Sequence, residues 1–412
     1  MNIPRVRNEA VWTQIKIFFL GSAFLFLANI YFGFDNSLTS KFIPRWQTLV
    51  HVHSGALGWV TLSVIAIAIW LLTGDQVVSS SYTRKVKNLA QFGILIFGGY
   101  IVAFGLAFAG LGRIFTILLP IFGFAATVYI WVAAFFSLSQ LRQQDVITTG
   151  QLLITASLWV ASLGSTMGLL LGLEYVIGFF LPGPDRIAPH GGTMDTYLLL
   201  AAAAIVEMFL QKDAKQRWNR SGMFITVAWS LSMISILGGL LFGVFPLVMT
   251  SVPLMLLAMI VFVIRGGWRA FKLNPFRKGP GAWVFFGTLW MIFWGLFFVW
   301  VAANYAEDPT LVPHWVAVTF VHTSFVGMMT NLLLAAYSAR SQEASEVISW
   351  AELPAVWLTN LGLVVFLGIE IASGGWLGAA VMGVGVLLGV LTMILRLRAS
   401  NSYKSIEEYF SP

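Results

Sequence analysis

Twelve apolar runs recur along this 412-residue chain, and each approaches the ~20 residues that a helix needs to cross a hydrocarbon core. They fall near 14–33, 52–73, 88–110, 115–138, 151–180, 194–211, 221–245, 250–265, 281–303, 313–337, 353–373 and 376–397. In lipid a backbone must satisfy its own polar groups, so runs of this length predict helices. Only 10% of the residues are charged, against roughly 25% in a soluble domain. The expectation is an all-α polytopic membrane protein with about twelve transmembrane helices, forming a single integral membrane domain over 1–412. The bilayer is its first partner.

The basic residues orient the helices. With the N-terminus inside, 20 of the 24 Lys and Arg residues fall on the inner side, leaving Lys41, Arg45, Arg113 and Arg186 outside. That asymmetry is a positive-inside signal. One miscounted helix would invert every later loop and destroy it, so it also supports the count of twelve. It predicts a multi-pass protein of the cell membrane, the inner or plasma membrane of a prokaryote, with both termini cytoplasmic. The basic pI follows from this topology and calls for no nucleic acid. The first run follows Arg5 and Arg7, with no small-residue cleavage site after it, and reads as a retained span. There is no cysteine, which excludes disulfides, thiolate metal sites, iron–sulfur clusters and covalent c-type haem.

Ionisable groups inside spans are costly and mark function. Here they are His51, His53, His190, His314 and His322, with Arg113, Glu174, Asp195, Glu207 and Glu370. All five histidines lie at the beginnings of even-numbered spans, hence at one level toward the outer face. His53 follows Pro44 by nine residues and His322 follows Pro313 by nine. With proline in a first turn, both would lie ~13 Å along their helices. Both also read His-[Ser/Thr]-x-x-x-Gly, as His53-Ser54…Gly58 and His322-Thr323…Gly327. Equal depth suits a bis-histidine haem standing between two helices. His51 lies two residues from His53, about 200° round the helix, so both cannot face one haem. It is the rival ligand, or a propionate or metal contact.

HVHSGALGWV (51–60) resembles the second helix of catalytic subunit I of the haem–copper oxidase superfamily, and FVHTSFVGMMTNL (320–332) resembles its tenth. The likeness is nearer to nitric oxide reductase and cbb3-type members than to mitochondrial-type oxidases. It implies a subunit I-like bundle of twelve spans, with His53 and His322 as axial ligands of a low-spin haem b. The chain departs from that family in the rest of the centre. Phe320 stands where the high-spin haem ligand is expected. The seventh span holds no histidine for copper, and the sixth holds only His190 at its mouth. The full oxygen- or NO-reducing centre needs six histidines, and this chain has five.

The remaining candidates divide by chemistry. His190 and Asp195, near Pro184–Pro189, could hold a second haem or a copper ion. His314 beside Trp315 reads as an interfacial residue. Arg113 and Arg186, with Lys41 and Arg45, are candidate partners for haem propionates. Glu174 and Glu370 sit at the histidine level as candidate proton relays, whereas Glu207 reads as interfacial on the inner side. The expected function is a haem-binding membrane protein with a degenerate oxidase- or reductase-like centre. It would carry electrons or bind a diatomic gas such as NO or O2, with a quinol or cytochrome as donor and a partner membrane subunit. The alternatives are a secondary transporter of a small solute, or a haem- and copper-containing protein of the NO-tolerance type. Buried acids near mid-membrane and broken helices would mark a transporter.

Overall fold

Helices fill the computed structural model, which describes residues 9–39, 45–73, 78–177, 188–210, 219–305, 307–308, 311–341, 344–370 and 376–400. Twelve of them are long and apolar enough to cross a membrane. They are α1 (Ala10–Asp35), α2 (Trp46–Thr73), α3 (Ser80–Phe108), α4 (Arg113–Leu141), α5 (Thr149–Glu174) and α6 (Pro189–Leu210). α7 (Arg220–Phe242), α8 (Phe245–Arg265), α9 (Pro280–Tyr305), α10 (His314–Arg340), α11 (Ser349–Gly368) and α12 (Leu377–Ala399) complete the set. The chain is an all-α polytopic membrane protein.

Several helices outrun their apolar windows. α2 begins at Trp46 where hydropathy places a start near 52, and α3 begins at Ser80 where it places one near 88. α6 begins at Pro189, so His190 lies inside its first turn and is not in an entry loop. Apolar windows mark the lipid-crossing part of a helix, whereas backbone hydrogen bonding carries it on through polar turns. The Pro184–Pro189 loop itself is described only from Ala188.

Three helices form the centre. The apolar windows of α2, α6 and α10 are 94%, 89% and 61% buried inside the protein, more than those of the other nine. All three pack on one another, and the others surround them. Large side chains such as Phe24, Leu95, Ile117, Phe135, Leu231 and Ile264 are exposed on the outer helices, where lipid tails would solvate them. Each interior histidine is on a central helix: His51 and His53 on α2, His190 on α6 and His322 on α10. The even helices start from the same side of the bundle, so these residues share one end of it.

Polar side chains lock the centre below that level. Trp59 Nε1 on α2 donates to Thr330 Oγ1 on α10 at 3.2 Å. Tyr197 Oη on α6 donates to Thr61 Oγ1 on α2 at 3.4 Å. Asn331 on α10 and Asn360 on α11 exchange amide hydrogen bonds at 2.9 and 3.1 Å, and Trp290 Nε1 joins Asn360 at 2.8 Å. Interhelical bonds of this kind give specificity to helices that hydrophobicity alone cannot drive together in lipid. At the end away from the histidines, Arg396 Nη1 pairs with Glu352 Oε2 at 2.8 Å, with both side chains 2% exposed. Arg396 also donates to the carbonyls of Val347 and Ser345, and Ser338 donates to Glu352.

Candidate functional site

The two stretches that share a sequence pattern also share an unusual backbone. Immediately after His53, α2 becomes a π-helix over Ser54–Thr61, and immediately after His322, α10 does so over Thr323–Thr330. Each π segment has eight residues and ends on a threonine whose hydroxyl donates to the carbonyl five residues back. These bonds are Thr61 to Ala56 at 2.8 Å and Thr330 to Phe325 at 2.9 Å. π segments are rare and concentrate at functional sites. The repeat therefore extends from Pro44 and Pro313, through Trp46 and Trp315, to Thr61 and Thr330.

The two π segments pack on one another, and from Ser54 and Thr323 onward their residues are buried except for the half-buried Leu57, Phe325 and Val326. One residue before each histidine, Val52 is 39% exposed and Val321 37%. His51, His53, His190 and His322 are half-buried at that level.

Each of the four imidazoles is anchored through Nδ1 to a backbone carbonyl. A carbonyl only accepts, so Nδ1 carries the proton and Nε2 presents its lone pair. Among the described residues no protein group partners any of the four Nε2 atoms. This is the arrangement of a metal-ligating histidine, whose other nitrogen is held by a carbonyl or carboxylate.

The anchors are of two kinds. His53 donates to Leu49 O at 2.7 Å and His322 to Val318 O at 2.9 Å, in each case one turn back in its own helix. His51 reaches across to α1 and donates to Asn29 O at 2.9 Å. His190 reaches across to α5 and donates to Gly164 O at 2.8 Å. In both crossings the residue four places after the acceptor is glycine. A Cβ on Gly33 would lie 2.9 Å from His51 Cε1, and one on Gly168 would lie 3.0 Å from His190 Cε1. The bare glycine face admits the ring to a mid-helix carbonyl. Asn29 Nδ2 also donates to the His51 carbonyl, fixing the backbone of His51 as well as its ring.

His51 and His53 lie about 200° apart round α2 and face different neighbours. His53 lies against Phe104 and Tyr100 of α3, with ring centroids 4.4 and 5.8 Å away. His322 meets Phe366 of α11 edge-on at 5.1 Å. Two imidazoles, those of His53 and His322, are thus anchored within their own helices, and two, those of His51 and His190, across helices.

The other candidates are placed less centrally. Arg113 is exposed at the head of α4, and His314 is exposed at the head of α10 beside Trp315. Arg186 and Lys41 lie outside the described residues, as do the side chains of Arg45 and Glu370. Glu174 is half-buried near the end of α5, and Asp195 is half-buried in α6 five residues beyond His190. Glu207 is buried and pairs with Arg265 at 3.5 Å, so it is a packing ion pair where an interfacial residue is expected. Phe320, in the position of the expected second α10 ligand, packs on Trp294 of α9 at 5.0 Å. Sequence reasoning missed Asn29, Gly33, Gly164 and Gly168. The Gly164-x-x-x-Gly168 spacing was visible, but as a signal of close helix packing. No family model matches this chain, and no curated protein matches it.

Proposed function

We propose that the protein is a membrane haem protein that holds a b-type haem between His322 and a span-2 histidine and carries electrons through it. The observation that carries this reading is the set of imidazoles anchored through Nδ1, whose Nε2 atoms have no protein partner among the described residues. His51 is favoured over His53 as the partner of His322, because His53 is turned toward α3, against Tyr100 and Phe104.

The residues fit the group. A haem would take two imidazole donors from the protein, and His322 with a span-2 histidine would offer two. Bound there, a haem supplies a one-electron couple. The protein holds both imidazoles as Nδ1–H tautomers, keeps their rings from turning, and walls them with aromatic and small residues. Held by two imidazoles, a haem would supply electron carriage in preference to gas binding. Lys41, Arg45, Arg113 and Arg186 are the cations the sequence offers to propionates on the histidine side. The positive-inside asymmetry puts that side outward and both termini in the cytoplasm, so a quinol in the bilayer or an external cytochrome could exchange electrons with it. Transport is less well supported, because α2 and α10 pass through their π segments as continuous helices.

The test is an oxidised and reduced optical spectrum of the purified full-length protein, with a pyridine haemochrome assay. A low-spin b-type spectrum that changes in His322→Ala and His51→Ala is expected. A protein without a Soret band, or an unchanged spectrum in both variants, would overturn the proposal.

A further inference from the structure

At the end of the bundle away from the histidines, residues 266–279 join α8 to α9, and a 3-10 helix fills Gly267–Lys272. Three residues per turn divide such a helix into three edges. Gly267 and Ala270 form one edge and are buried, so close to α8 that a Cβ on Gly267 would lie 2.7 Å from Phe262 Cε1. Trp268 and Phe271 form the second edge and are exposed. Arg269 and Lys272 form the third. The short helix packs on α6, α8 and α9.

Arg265, Arg269, Lys272, Arg277 and Lys278 fall in or beside this connection, and the sequence has no acid from 214 to 306. Two of the five are used inside the protein. Arg265 pairs with Glu207 at 3.5 Å, and Arg269 Nη1 donates to Leu210 O at 3.5 Å. Lys272, Arg277 and Lys278 are exposed and meet no carboxylate among the described residues. Lys272 Nζ lies instead over the Trp268 ring, 4.5 Å from its centroid. Phe276 stacks on Trp357 of α11 at 4.9 Å, yet is 68% exposed. The positive-inside asymmetry accounts for cations at this end. It does not account for a helix that buries its small edge and turns an aromatic edge outward beside them.

We infer that residues 267–278 form a binding surface for an anionic phospholipid. Lys272, Arg277 and Lys278 hold its phosphate, and Trp268, Phe271 and Phe276 cover the glycerol and the upper part of the acyl chains. Cations pair with lipid phosphate, while indole and phenyl rings favour the boundary between headgroup and hydrocarbon. That boundary is where α8 ends and α9 begins. An acidic protein would complement the three cations but would leave the three rings, at lipid level, without a matching surface. With the termini in the cytoplasm, the lipid belongs to the inner leaflet. This surface is independent of whatever binds at the histidine level.

The experiment titrates delipidated full-length protein in detergent with phosphatidylglycerol or phosphatidylcholine and counts bound lipid by native mass spectrometry. Wild type is compared with the triple variant Lys272→Gln/Arg277→Gln/Lys278→Gln. The control is Arg84→Gln/Lys85→Gln/Lys87→Gln, which removes three exposed cations of α3 from the same end of the bundle. There the one neighbouring aromatic, Tyr82, is held inward by a 2.6 Å bond to Thr73. Wild type should bind phosphatidylglycerol in preference to phosphatidylcholine. The first variant should bind it more weakly by on the order of 100-fold, roughly fivefold for each cation, and the control should bind it as wild type does. Trp268→Ala/Phe271→Ala, which keeps every charge, should also weaken it. Equal loss in the two triple variants, or unchanged binding in the aromatic variant, would overturn the site. So would a wild type with no preference between the lipids, a result that stands even if a variant fails to fold. Displacement of the lipid by inorganic phosphate, or by polyglutamate at matched charge, would overturn the choice of a lipid over a free anion or an acidic protein.

Discussion

Gly33→Ala should weaken haem retention while leaving the helix that carries it intact. The added Cβ falls 2.9 Å from His51 Cε1 and 3.3 Å from Nδ1. Carbon atoms settle at about 3.5–4.0 Å, so the ring must retreat by roughly 0.6 Å or more. Such a retreat stretches the 2.9 Å bond from His51 Nδ1 to Asn29 O to about 3.5 Å, beyond a useful hydrogen bond. A buried donor left unpaired costs about 1–3 kcal/mol, equivalent to about 5- to 150-fold in affinity. That range overlaps the ~10–100-fold losses seen when the group orienting a metal-bound histidine is removed. The substitution also replaces a helical glycine, which by itself favours the helix by roughly 0.5–1 kcal/mol. Gly98→Ala is the control, because its Cβ would meet only Leu25, at an ordinary 3.7 Å. The assay is transfer of haem from detergent-solubilised protein to excess apomyoglobin, followed at the Soret band. Faster loss in Gly33→Ala with wild-type behaviour in Gly98→Ala is expected. Wild-type retention in Gly33→Ala, or equal loss in both, would refute the anchoring argument.

Other predictions concern the scaffold and the margins of the site. Glu352→Ala strands Arg396 in a buried setting and should destabilise the protein by about 3–5 kcal/mol. Thermal unfolding in detergent would show this as a lowered midpoint, and an unchanged midpoint would mean the pair is solvated. Tyr337→Phe removes a buried hydroxyl that bonds Ser22 and Ser63, the latter at 2.8 Å, and should cost about 1 kcal/mol in the same assay with no change of spectrum. His314→Ala, at an exposed helix head, should leave haem content and spectrum unaltered. A lost haem in that variant would show that the outer ends of the helices contribute a ligand.

The fold was legible because lipid imposes a simple code. Apolar length marks the crossings and basic residues order them, so twelve helices could be read without any tertiary information. Helix ends were less legible, since polar turns such as Arg45–Val50 remain helical without being apolar. The histidine level could also be read, because depth along a helix follows from residue number. Pairing could not be read the same way. Equal depth suggested His53 with His322, but direction around the axis depends on which helices surround α2. His53 lies against Tyr100 and Phe104 of α3, a direction that its residue number does not reveal. The anchors were hidden for a related reason. Gly33 and Gly168 look like packing glycines until a ring from the next helix is found lying on each.

The central claim is that His322 Nε2 is an axial ligand beside His51, and ligand rescue tests it most directly. The low-spin spectrum of wild type is compared with that of His322→Gly before and after imidazole is added to the purified protein. The account predicts that His322→Gly loses a low-spin signal and that imidazole, entering the space left by the side chain, restores it. A His322→Gly spectrum indistinguishable from wild type without imidazole would contradict the account.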